Sequence, residues 1–207
     1  MSTAFIVGNG PSINPYYIDH IKGQPSFACN NIHLLYSRCE WRPTHYVRVE
    51  WFPEGADVNL WYRSVVMHLA EGIPCYLSGY FQDHAQELHN FENYHSLSTC
   101  GHNIVDPGEW HLPRLCVFGG SVLVAMQAAV NEGYENLVLL GCDLFPGHFH
   151  NEYTKGIEHW RDSDDKANGI LMRAHEIAHD YLGDRVINAS PGGRLNMYRK
   201  ANLEDLV

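Results

Sequence analysis

Apolar positions along this chain fall alternately into short unbroken runs and into stripes with a helical period. Ala4, Phe5, Ile6 and Val7 form a run too short for a helix, which reads as a strand buried on both faces. It leads into Gly8, Asn9, Gly10, Pro11 and Ser12, where the glycines permit a tight turn and Pro11 suits the first turn of a helix. Tyr16, Tyr17 and Ile21 predict one or two helical turns. Residues 26–31 read as a second strand ending on Asn30 and Asn31, and the alternating β-branched and aromatic residues of 44–52 as a third. Asp57 is a candidate cap for a helix to about Glu71, with Leu60, Val65, Val66 and Leu69 as its apolar stripe and Gly72 as its stop. Residues 73–77 are a short fourth strand.

Residues 80–115 carry no sustained period. Rich in His, Asn, Tyr and Pro, they read as a short helix and a long excursion, a candidate lid or acceptor-binding segment. Periodicity returns at Gly119, Gly120 and Ser121, which open an apolar helix over 122–130 that ends at Gly133. Residues 136–143 form a buried parallel strand finishing on Gly141 and Asp143, and 145–163 a second irregular loop. A helix over 164–182, a last strand over 185–190, and a tail with a glycine turn and a short terminal helix complete the chain. Strands alternating with helices predict a single α/β domain over 1–207, a three-layer, doubly wound, mostly parallel sheet.

Composition narrows the classes without choosing among them. The 207 residues, 45% hydrophobic and 18% charged, describe an ordinary globular protein with room for one well-buried core. A formal net charge of −10 argues against nucleic acid as the main partner. No stretch approaches the roughly 18 consecutive apolar residues of a membrane span, and the chain enters its first strand without a signal peptide. The six cysteines are scattered, several inside apolar runs, which reads as reduced thiols in a cytoplasmic protein.

The chemistry-bearing residues gather at strand ends. Open parallel sheets bind ligands at the carboxyl edge, and there this reading places Gly8 to Ser12, Asn30 with Asn31, and Gly141 with Asp143. Gly120 and Ser121 open a helix whose free N–H groups suit an anion. Asparagine both donates and accepts, which suits a base edge or a ribose. Neither glycine turn is a Walker motif, and Ile13 stands where the third glycine of a dinucleotide fingerprint belongs.

These landmarks, with Gly133-Tyr134 and Leu139 to Leu144, resemble the bacterial lipooligosaccharide sialyltransferases. Together with residues 188–193 and 203–206 they are also similar to a sister group of motility-accessory-factor proteins and the archaeal 6-hydroxymethylpterin diphosphokinase. The resemblance covers the first forty residues and roughly 118–207. It implies a Rossmann-like, metal-independent, inverting transferase with a nucleotide-sugar donor, such as a CMP-activated sialic acid, and a glycan or small-molecule acceptor. On that resemblance Asn9, Gly10 and Ser12 line the donor phosphate and ribose, and Asn30, with Asn31 beside it, contacts the nucleotide. Gly120 and Ser121 hold the anionic donor, and Gly141 and Asp143 close the base end. Tyr153 answers to one of a tyrosine pair that steadies the leaving phosphate, with Phe145 where the other hydroxyl belongs, and His159 answers to the general base. Arg48, Glu50 and Trp51 stand about where the sialyltransferases carry an asparagine. Related enzymes assemble as oligomers, so a homo-oligomer is expected.

Imidazole suits a base near neutral pH, and His148, His150 and His175 are the rivals of His159. His148 and His150 form a His-x-His pair, a weak metal signal without a third ligand. Asp162, Asp164 and Asp165 precede a helix and read first as its cap. The pterin diphosphokinase alternative would need Mg²⁺ with ATP, so dependence on a divalent ion separates the two enzymatic readings. A non-catalytic nucleotide-binding module is the third.

Overall fold

The computed structural model describes residues 2–49, 57–78, 81, 85–99, 114–115, 120–144, 147–154 and 164–207. Its strands are β1 (Thr3–Val7), β2 (Ser26–Cys29), β3 (His45–Arg48), β4 (Cys75–Ser78), β5 (Tyr94–Thr99), β6 (Arg114–Leu115), β7 (Asn136–Leu140), β8 (Val186–Asn188) and β9 (Arg199–Lys200). They form one sheet in the order β6-β5-β4-β3-β2-β1-β7-β8-β9, and every pairing is parallel. The chain therefore runs outward from β1 in one direction, returns, and runs outward again from β7. The strand order reverses between β1 and β7, the switch point where Rossmann-like sheets open a crevice.

Alternation along each strand divides the core between two helical layers. Ala4 and Ile6 face one layer with Phe27, Val47, Leu137 and Leu139. Phe5 and Val7 face the other with Ala28, Tyr46, Val138 and Leu140. The first layer holds α3 (Ser121–Asn131) and α4 (Asp164–Leu182); Val124 and Ala128 on α3 and Ala178 and Leu182 on α4 are buried against the sheet. The second layer holds α1 (Pro15–Asp19), which contributes Ile18, and α2 (Val58–Ala70), which contributes Val65 and Leu69. Asp57 caps α2, its carboxylate accepting from the Asn59 and Leu60 N–H groups at 3.0 and 3.3 Å.

Some expected elements shift. The buried stripe of α2 runs through Trp61, Ser64, Val65, His68 and Leu69, leaving Leu60 and Val66 half-buried. The stretch 80–115 contains two strands as well as a short helical segment: Tyr94–Thr99 pairs with β4 and with β6, and Leu97 is its one aliphatic residue in the core. Two charged residues form β9 at the far edge, where solvent tolerates Arg199 and Lys200. The third strand is observed over His45–Arg48; the expected continuation over 50–52 lies outside the described residues.

Candidate active site

The β1–β7 ladder continues beyond both strands. Gly8 N–H donates to Leu140 O and Gly10 N–H to Gly141 O, both at 2.8 Å. Ser12 N–H donates to Asp143 Oδ2 at 2.9 Å, and Asp143 O accepts from Arg194 N–H at 2.8 Å. Asp143 thus clasps the turns that follow β1 and β8 onto the end of β7. The clasp explains the glycines: a Cβ on Gly10 would collide with the Asp143 carboxylate. It also bears on Gly10 and Ser12, expected to line the donor phosphate and ribose, and on Asp143, expected to close the base end. The Gly10 and Ser12 N–H groups are already paired, and Asp143 is buried at the switch point.

A second set of contacts gathers on the side of β1 that faces β2. Asn9 Nδ2 donates to Cys29 O at 2.8 Å, and Phe149 N–H donates to Asn9 O at 3.1 Å. The next residue, Asn30, has a left-handed backbone with φ of 52°. A non-glycine residue in that region is uncommon, and asparagine tolerates it best. The surrounding bonds fix it: Tyr46 and Ser64 hydroxyls both donate to Asn30 O at 2.7 Å. Ser121 Oγ donates to Asn30 Oδ1 at 3.0 Å and accepts from Val49 N–H at 3.2 Å. Three corners distant in sequence therefore meet: the turn after β1, the end of β2, and the first residue of α3. Asn9 and Ser121 are 9% and 2% exposed, whereas Asn30 and Gly120 are half-exposed. The N-cap of α3 is Gly120, which has no side chain with which to cap the helix.

Asn31 is not part of this open corner. The left-handed turn at Asn30 swings it inward, where it is fully buried and accepts from Arg48 Nη1 at 3.4 Å. Arg48, also fully buried, lies 4.2 Å from the Trp61 ring centroid and donates to Trp61 O at 3.3 Å. The Asn31 amide thus belongs to a cationic, aromatic flank. His33 on that flank has its pKa lowered to about 4 by burial and by the charges of Arg63, Arg48 and His150. Nothing in the sequence pattern marked Arg48 as buried beyond its position in a strand.

The aromatic and histidine expectations separate. Tyr153 is buried, packed edge-on against Trp61 at 5.6 Å and stacked on His148 at 3.7 Å. His150 is half-buried, its Nδ1 accepting from Glu152 N–H at 3.3 Å. His175 cannot reach this edge as a base: it is buried in α4 against Tyr198 OH at 3.0 Å, with a pKa lowered to about 3 by burial. His159 and Phe145 lie outside the described residues, as do Glu50, Trp51 and Gly119. Among the described residues no group of three or more His, Cys, Asp or Glu could hold a metal ion. No described helix is long and apolar enough to cross a membrane.

The edge also opens on its other side. A cavity of about 610 Å³ lies between α1, the ends of β7 and β8, and the C-terminal segment. Ser12 and Gly141 line it, but Asn9, Asn30, Gly120 and Ser121 do not. The residues expected to form one cradle are thus divided by the Asp143 clasp.

No protein-family model matches this chain, and no curated protein matches it either. Among solved structures it is loosely similar to the sialyltransferase CstII from Campylobacter jejuni, determined in complex with a substrate analogue, cytidine-5'-monophosphate. The TM-score is 0.32 and the identity 16%, covering 98% of this chain and 87% of that one.

Proposed function

We propose that this protein is a sialyltransferase-like glycosyltransferase that uses a CMP-activated donor. The observation that supports the reading is the bond between Asn30 and Ser121 beside the half-exposed Gly120. It sets a hydrogen-bonding amide and a helix N-terminus with glycine as its N-cap side by side at the carboxyl edge, one strand from the switch point. N–H groups at a helix start stabilise an anion, and most strongly one whose charge grows as a phosphate leaves. Asn30 and Gly120, the half-exposed members, hold the nucleotide phosphate; Asn9 and Ser121 position them from beneath.

The acceptor oxygen bonds to the anomeric carbon from the face opposite the donor phosphate and loses its proton to a base, while the bond from that carbon to the phosphate oxygen breaks and its electron pair leaves with CMP. That base is assigned to His159, with His148 as the exposed alternative on the described loop. Tyr153 stands behind His148 as a stacked support. The transfer is expected to need no metal.

A thermal-shift panel of CMP, CDP, UDP, GDP and ATP, each with and without Mg²⁺ or EDTA, tests this. Stabilisation by CMP that survives EDTA supports the proposal. Stabilisation by ATP only with Mg²⁺ replaces it with pyrophosphoryl transfer, and no shift with any nucleotide removes it. Hydrolysis of a CMP-sugar by His159→Ala and His148→Ala then assigns the base, since the variant lacking it loses turnover with CMP binding unchanged.

A further inference from the structure

The cavity on the α1 side has its own physical cause. α1 is five residues long, about 7.5 Å of helix, too short to cover the ends of β1, β7 and β8 together. The C-terminal segment folds back to cover the remainder and seals only part of it, with Leu203 buried against the core. The cavity has a floor and a rim of different chemistry. Ile13, Leu140, Ala189 and Leu203 supply aliphatic surface below. Arg199, Lys200, Glu204 and Asp205 also line it, and all four are exposed, which places them at its rim.

That division selects a ligand class. Two cations and two carboxylates leave no net charge to attract a free anion or cation. The cations can only donate hydrogen bonds and the carboxylates, when ionised, only accept them. A planar heterocycle satisfies both: its faces lie on aliphatic surface, and its edge alternates donors and acceptors. A saccharide would ask for aromatic faces, and Tyr17 supplies the only ring among the lining residues. The volume lies within the range of small-molecule sites, roughly 300–1,000 Å³.

We propose that this cavity is a second binding site, separate from the Asn30–Ser121 corner, for an uncharged heteroaromatic ring of nucleobase size. It does not depend on the glycosyltransferase reading, because none of the corner's ligand-facing residues lines it.

Adenosine, guanosine, cytidine and uridine, which carry no phosphate, are the probes, with lactose and inorganic phosphate as controls. The readout is the methyl NMR spectrum of the full chain labelled at Ala and Leu. At least one nucleoside is expected to shift the Ala189 and Leu203 methyl resonances. Arg199→Ala and Glu204→Ala should each weaken that binding about tenfold. Asn30→Gly should leave it unchanged while weakening CMP. Both rim side chains are exposed, so an unchanged melting temperature certifies their fold. The proposal is overturned if no nucleoside shifts those methyls, if only lactose or phosphate does, or if Asn30→Gly weakens the nucleoside as much as the rim variants do. Loss of CMP binding by the wild-type chain would sink the donor reading alone.

Discussion

The two sides of the carboxyl edge are built on opposite principles. On the β2 side, polar groups converge and mostly satisfy one another, leaving Asn30 and Gly120 as the half-exposed points of a rigid network. On the β8 side, the charged groups stand apart around an open volume, and Arg199 and Glu204 remain exposed. A site of the first kind is pre-organised and stability depends on it. One of the second kind contributes little to folding and is free to be specified by its ligand. Substitutions should therefore cost stability on one side and affinity on the other.

The sharpest way to break this contrast is to open the clasp between the two sides. Gly10→Ala forces a Cβ into the Asp143 carboxylate and should lower stability by on the order of 3 kcal/mol. Asp143→Ala removes the acceptor of Ser12 N–H and should cost about 2 kcal/mol. Urea unfolding measures both, and both should disturb ligand binding on either side.

Acid comes next in size. Burial holds the pKa of His68 at about 4, and burial with the neighbouring cations holds that of His33 there too. Between pH 6.5 and 4 the unfolded chain takes up these protons and the folded chain does not, so stability rises with pH across that window and is lost as pH falls. For fully buried His68, going from pH 6.5 to about pH 5 should remove about 2 kcal/mol, and His68→Phe should flatten the melting profile over that range.

A smaller effect isolates Asn30. Asn30→Gly keeps the left-handed backbone but removes the Oδ1 that accepts from Ser121, for about 1 kcal/mol of stability and about tenfold in CMP binding. Asn30→Ala adds about 1 kcal/mol of backbone strain, so the difference between the two variants in urea measures that strain. At the bottom of the scale, Arg199→Ala and Glu204→Ala should change stability by less than about 0.5 kcal/mol.

The same physics decides what the sequence discloses. β1 and β7 are legible because central parallel strands are apolar on both faces; α2 because its cap and apolar stripe agree. β5 and β9 are not, since strands toward a sheet edge tolerate His95, Ser96, Arg199 and Lys200 without an apolar run. In the site, the meeting of Asn9, Asn30 and Ser121 follows from placing strand ends on one edge. The inward turn of Asn31 does not, because it depends on a single dihedral angle at Asn30. The pairing of Ser12 with Asp143 links residues 131 positions apart, which no local pattern encodes. The cavity arises from the shortness of α1 and the return of the tail, neither of which carries a motif.

The position of β1 between β2 and β7 bears on how the chain is made. β1 is synthesised well before β7 and must wait for Asn136–Leu140 before its second edge is covered. Until then a wholly apolar ribbon has one open flank, available to a chaperone or to another nascent copy. Synthesis of β7 is thus the step that covers this flank, and stalled chains ending near residue 130 should be the ones that aggregate.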